Sequence, residues 1–104
     1  MTRVYTEREV ADCGGPEALR VESLAARFAA KEAALKVLGP AQEGVGWRSI
    51  EVVREPAGST SLRLTGRAAE LADSARISGL AVSLSHERGV AGAVVVATVA
   101  PGSA

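Results

Sequence analysis

The chain is 104 residues long, with twelve basic residues against twelve acidic ones, one histidine and one cysteine. That length holds one domain, and a formal net charge of zero gives no electrostatic basis for nonspecific nucleic-acid binding. A single cysteine, Cys13, excludes an intrachain disulfide framework and a cysteine-cluster zinc site, and without an oxidising signature a cytoplasmic location is the default expectation; 47% hydrophobic against 23% charged residues is the balance of a globular chain.

In chain order, Met1 to Val10 is polar and lacks the apolar core of a signal peptide. Thr6 with Glu9 has the form of a capping box, so a short helix is expected from about Glu7, ending by Gly14-Gly15-Pro16. A longer helix is expected over Glu22 to Leu38, with Ser23 near its start and Gly39-Pro40 as its stop. Leu24, Phe28, Leu35 and Leu38 recur at helical spacing and mark its buried side, while alanines fill much of the rest. Ala41 to Gly46 reads as a loop. Trp47 to Arg54 reads as a strand, Pro56 to Ser59 as a turn and Ser61 to Leu64 as the returning strand, with Leu62 and Leu64 inward and Arg63 outward.

Arg67 to Ile77 reads as an amphipathic helix, Leu80 to Ser85 as an alternating strand and His86 to Gly89 as a turn. Ala91 to Val99 reads as a buried strand. The apolar run from Val90 to Ala100 is far shorter than the ~20 residues that span a bilayer, so no membrane partner is expected. Paired strands beside helices give an α+β class with a mainly antiparallel sheet. Residues 1–100 form one domain in this reading, and Pro101-Gly102-Ser103-Ala104 a frayed tail.

No lysine-bearing Gly-rich phosphate loop, dinucleotide fingerprint or paired-histidine zinc motif is present. Cys13 and His86 are far apart in sequence, with nothing local to make them a catalytic pair. Two segments carry candidate chemistry. Glu32 and Lys36 are four residues apart on one helical face. They form either a surface ion pair worth ~0.3–0.5 kcal/mol or a carboxylate for a hard cation beside a lysine for phosphate. Ser83, Ser85 and His86 close an alternating strand. They are either ordinary polar-face and turn residues or ligands for phosphate or a nucleotide.

Together these segments resemble the holo-acyl-carrier-protein synthase family, the small 4′-phosphopantetheinyl transferases. Arg3-Val4-Tyr5-Thr6-Glu7 is similar to the family's Val-Phe-Thr-Glu-Glu-type segment. Arg27-Phe28-Ala29-Ala30-Lys31-Glu32-Ala33, continuing to Lys36 and Gly39, matches its first signature. Trp47-Arg48-Ser49-Ile50-Glu51-Val52 resembles its Trp-x-Asp-Ile-Glu-Val strand, and Val82-Ser83-Leu84-Ser85-His86-Glu87 matches its second signature.

The resemblance implies a 4′-phosphopantetheinyl transferase-like fold with the long signature helix packed on the sheet. It implies magnesium-dependent transfer of 4′-phosphopantetheine from coenzyme A to a serine of an acyl carrier protein of fatty-acid or polyketide biosynthesis. By position, Glu32 is implied as magnesium ligand and as the group orienting the nucleophile, with Lys36 on phosphate as the second catalytic residue. Arg27, Phe28 and Gly39 are implied in the coenzyme A contact region. Ser85 and His86 are implied at its nucleotide end, and a homotrimer with sites between subunits.

Departures from the family pattern are also legible. Its opening Gly-x-Asp strand, with the other magnesium-binding aspartate, and the basic helix that docks the carrier protein have no counterpart in these 104 residues. A start upstream of Met1 is therefore the expectation. The alternatives are a catalytically impaired homologue that binds coenzyme A or carrier protein as an assembly module, and a strand lent by a partner through β-augmentation. The family's Gly-x-Pro turn is here Gly58-Ser59-Thr60, and a position often small and polar is Leu35.

Overall fold

The structure is a computed structural model and describes residues 3–15, 20–39 and 44–100. The expected tail at Pro101–Ala104 and part of the expected loop after Gly39 lie outside the described residues.

Helix α1 (Glu7–Asp12) starts as its capping box requires. Thr6 Oγ1 accepts from Glu9 N at 3.2 Å, and Thr6 N donates to Glu9 Oε1 at 2.9 Å. Such a cap stabilises a helix start by about 1 kcal/mol. Gly14 and Gly15 (φ 108 and 79) adopt the left-handed backbone that turns the chain away.

Helix α2 (Val21–Val37) begins at an Arg20 cap, and no side chain, Ser23 included, caps its first turn. Its buried side differs from the expected leucine stripe. Leu24 and Leu38 are buried, but Phe28 and Leu35 are only half-buried. The interior stripe is completed by Ala26, Arg27, Ala30, Lys31 and Ala34. Alanines let the helix lie close to its neighbours, and two long cations take places that apolar residues usually fill.

The expected strand from Trp47 is a 3₁₀ turn over Trp47–Ser49, closed by Ser49 N and Ser49 Oγ donating to Gly46 O, before β1 (Ile50–Arg54) begins. β1 pairs antiparallel with β2 (Thr60–Leu64), from Ile50 opposite Leu64 to Arg54 opposite Thr60. Helix α3 (Gly66–Ser74) ends earlier than expected. Arg76 (φ 58) reverses the backbone, and Ile77 opens a strand instead of closing the helix.

β3 (Ile77–Glu87) and β4 (Val90–Val99) form a long antiparallel hairpin. Its turn is only Arg88–Gly89, both with positive φ (50 and 80), the backbone a two-residue hairpin turn demands. His86 and Glu87 are thus strand residues, not turn residues. β4 is also not wholly buried. Strand alternation leaves Val94 62% and Val96 58% exposed, while Val95 and Ala97 face inward.

The core cluster joins Ala34 and Leu38 of α2, Ile50 of β1, and Ala68, Leu71 and Ala72 of α3. Leu35, Val45, Leu62, Leu64 and Ile77 pack against it. Full burial of a residue such as Ile50 or Leu71 stabilises the fold by about 1.5–3 kcal/mol. The architecture is the expected α+β arrangement, with α2 laid against the inner face of the β3–β4 hairpin.

Candidate active site

Helix α2 sorts the candidate residues by direction. At about 100° per residue, Glu32 and Lys36 lie about 40° apart around the axis, whereas Arg27 is about 140° from Glu32. Glu32 and Lys36 are exposed, and neither makes an ion pair or side-chain hydrogen bond among the described residues. The surface ion pair that their spacing permits is not formed. Between these flanks, Phe28 packs on Trp47, ring centroids 5.0 Å apart and tilted 45°. Gly39 (φ 94) turns the chain at the end of the helix, a conformation that suits a residue without Cβ.

On the other flank, Arg27 is 4% exposed. One of its terminal nitrogens donates to Ser23 O at 3.2 Å, while Nε is buried without a partner. Arg27 lines a groove of about 460 Å³ between α2, the β1–β2 hairpin and β3. Arg54, His86 and the hydroxyl residues Ser23, Ser59 and Thr60 border the same groove. Two guanidiniums, an imidazole and several hydroxyls are donors suited to a phosphate or another anion. His86 Nδ1 lies 3.2 Å from Glu22 Oε2, which fastens the end of β3 to the first turn of α2.

The structure therefore brings Arg27 and His86 together and separates them from Glu32 and Lys36. Ser85 and His86 leave β3 on opposite faces, as strand neighbours must. Both border an open hollow of about 520 Å³ at the hairpin tip, with Arg88. Sequence reasoning missed Arg54, Ser59 and Thr60. Only the antiparallel register, which places Arg54 opposite Thr60, brings them to one place.

It also missed a buried ion pair beneath the helix. Lys31 Nζ lies 2.8 Å from Glu9 Oε1, and both side chains have no solvent exposure. Lys31 also donates to Trp47 O at 3.0 Å and to Ile50 O. Glu9 Oε2 accepts from Val52 N at 2.9 Å. The Tyr5 ring sits 5.9 Å from the ammonium, and its hydroxyl donates to Leu24 O at 2.8 Å.

Burial pulls the Lys31 ammonium below the ordinary lysine range, opposed by its hydrogen bond to Glu9 and by that carboxylate's charge. Burial, reinforced by the Glu9 and Cys13 charges, pushes Tyr5 up. Cys13 is buried and its thiol is likewise pushed up, chiefly by burial, which argues against a thiolate nucleophile. Removing one partner of a buried ion pair costs about 3–5 kcal/mol, because the other charge is left stranded.

For a metal, the described residues hold no cluster of three or more acidic, histidine or cysteine side chains. Magnesium beside phosphates uses one or two carboxylates, with phosphate oxygens and water completing its shell. The unpaired Glu32 carboxylate fits one such position, and Lys36 on the same flank fits a phosphate oxygen. Among the described residues no helix is long and apolar enough to cross a membrane.

Residues 1–97 match the family model described as the 4′-phosphopantetheinyl transferase superfamily. The holo-[acyl-carrier-protein] synthase of Chloroflexus aggregans is 47% identical over 110 residues, spanning 95% of this chain and 79% of that protein. That of Streptomyces coelicolor is 47% identical over 95 residues, spanning 91% and 76%. The fold is similar to the crystal structure of the Helicobacter pylori holo-[acyl-carrier-protein] synthase in complex with coenzyme A. The TM-score is 0.74 at 30% identity, over 93% of this chain and 79% of that one. It is similar also to the Neisseria meningitidis synthase, with a TM-score of 0.76 at 33% identity, over 93% and 78%.

Proposed function

The chain belongs to the 4′-phosphopantetheinyl transferase superfamily, and from that premise we propose that it is a holo-acyl-carrier-protein synthase with active sites composed of two copies. Coenzyme A is the donor, and a serine of an acyl carrier protein is the acceptor. The serine oxygen forms a bond to the β-phosphorus of the coenzyme A pyrophosphate. The bond from that phosphorus to the bridging oxygen breaks, and 3′,5′-adenosine bisphosphate leaves with the electron pair. The serine proton passes to solvent through water oriented by Glu32. Lys36 holds a phosphate oxygen and favours the ionised hydroxyl. Magnesium, held in part by Glu32, would supply charge neutralisation on the pyrophosphate and leaving group.

The observation that carries the two-copy reading is the division of α2. The carboxylate and lysine stand on one flank, and the anion-binding groove with Arg27 and His86 stands on another. One coenzyme A bound to both sets is served by Glu32 and Lys36 of one copy and by the groove of its neighbour. Within the groove, the unpartnered Arg27 Nε and the His86 imidazole suit the nucleotide phosphate. The exposed Val94 and Val96 give β4 an apolar face for subunit packing, in keeping with a homotrimer. Residues 3–15, 20–39 and 44–100 are read as one domain, since a single core cluster draws on α2, α3 and β1.

The test is incubation of an apo carrier protein with this chain, coenzyme A and magnesium, read by intact-protein mass. The expected result is a gain of one phosphopantetheine per carrier, abolished by a chelator. No gain at saturating coenzyme A would overturn the transferase reading. A second reading, a module that binds coenzyme A without turnover, is favoured by the groove itself, where the buried Arg27 comes together with His86 without Glu32 or Lys36. Calorimetry with coenzyme A, which shows heat without any mass gain in that case, distinguishes it.

A further inference from the structure

The Glu9–Lys31 pair takes no part in the chemistry above, yet of the buried charged side chains among the described residues it is the fully satisfied one, Arg27 Nε being left without a partner. All three Lys31 donors are used, on Glu9 Oε1, Trp47 O and Ile50 O. Glu9 meanwhile holds Thr6 N with one oxygen and Val52 N with the other. One side chain of α2 is thus pinned at once to α1, to the 3₁₀ turn and to β1. The other fixed contacts of the helix lie towards its two ends and on its Phe28 side: Leu24 and Leu38 are buried, Phe28 packs on Trp47 and Glu22 meets His86. Around Lys31 the buried neighbours on the helix are Ala30 and Ala34, which pack closely but do not interlock. Glu32 is the next residue after the pin, and Lys36 lies on the same flank one turn later.

We propose that the buried Glu9–Lys31 pair is a positioning lock that sets the rotation of α2 and so aims Glu32 and Lys36 at the reacting phosphate. Its catalytic part rests on the transferase reading. Side-chain ends lie roughly 5–6 Å from a helix axis, so a rotation of about 20° moves the Glu32 carboxylate by about 2 Å. Misplacement of about 1 Å at a reacting centre costs on the order of 10²-fold in rate. The groove lined by Arg27 and His86 is additionally tied by the His86–Glu22 contact and depends less on the lock.

The test is the full chain carrying Glu9→Gln with Lys31→Met. This change removes both charges together and keeps an amide acceptor for the backbone, so the fold is expected to survive. Lys31→Arg, which retains the charge in a longer, forked side chain, takes its place if the double variant does not fold. Two readouts are needed. A crystal structure of the variant is expected to place the Glu32 carboxylate more than about 1 Å from its parental position, judged after superposing β1–β4. The kcat for carrier modification is expected to fall at least about tenfold, with the KM for coenzyme A changed less than about twofold.

A variant with α2 unmoved, or with parental kcat, overturns the lock. A rise in KM equal to the loss in kcat/KM overturns it as well. If the parental chain itself modifies no carrier, the transferase reading fails, and the helix position in the crystal still decides the lock.

Discussion

The two flanks of α2 treat charge in opposite ways. Glu32 and Lys36 stand in solvent without partners, five and nine residues after Arg27, which is 4% exposed beneath a groove shared with His86. The exposed flank keeps its charges uncommitted, as suits groups that meet a metal or phosphate only when substrate arrives. The buried flank holds its guanidinium in a fixed place before any ligand is present, which lowers the ordering cost of binding. On the proposed mechanism the contrast divides labour: chemistry on the first flank, affinity for coenzyme A on the second.

Glu32→Gln tests that division with the largest expected effect. Loss of the carboxylate charge is expected to lower kcat by about 10²–10³-fold, the scale of removing one preorganised electrostatic group. Thermal unfolding should be unchanged, because the side chain is exposed and unpaired. Parental turnover in this variant would remove Glu32 from the mechanism.

His86→Ala addresses the opposite flank, with a smaller effect of a different kind. The expected result is a roughly tenfold rise in the KM for coenzyme A, equivalent to about 1.4 kcal/mol, with kcat little changed. A loss confined to kcat would erase the distinction between the flanks.

The smallest effect is on stability at alkaline pH. Folding holds the Cys13 thiol and Tyr5 hydroxyl above their ordinary values of 9.0 and 10.0. The unfolded chain then releases these protons first. Their contribution to stability is complete below 9.0 and is lost as pH rises from there through the raised folded values. Lys31, held below its ordinary value of 10.5, contributes with the opposite sign over the same window, so the readout is a difference: in denaturant melts from pH 8 to 11, Cys13→Ala is expected to lose less stability with rising pH than the parental chain. An identical slope in that variant would assign the effect elsewhere.

Much of this molecule is legible in its residues, for reasons of range. The capping box at Thr6 and Glu9 is local, and it forms as its spacing requires. The hairpin of β1 and β2 follows from alternation and turn chemistry. Reading failed where distant partners decide. The helical spacing of Leu24, Phe28, Leu35 and Leu38 puts Phe28 and Leu35 on the buried side of α2, but Lys31 takes an interior place because Glu9 and two carbonyls from the Trp47–Ile50 stretch meet it there. Ile77 reads as helix until Arg76, with its positive φ, sends it into β3.

Within the segment Val82–Glu87, Ser85 and His86 are legible as residues but not as geometry. The turn begins two residues later, so the strand's alternation sends the two side chains to opposite faces. The groove lined by Arg54, Ser59 and Thr60 has no sequence signal, because strand register alone assembles it beside Arg27.

Complementation between copies tests the divided site most directly. Glu32→Gln chains, impaired in kcat, and Arg27→Ala chains, impaired in affinity, would be co-expressed at equal levels and assayed for carrier modification at a coenzyme A concentration at which each alone shows little turnover. A site built from the Glu32 flank of one copy and the Arg27 groove of its neighbour is expected to return roughly a quarter of the parental rate in mixed assemblies. A mixture as inactive as either variant alone would contradict it, placing both flanks of the site in the same copy.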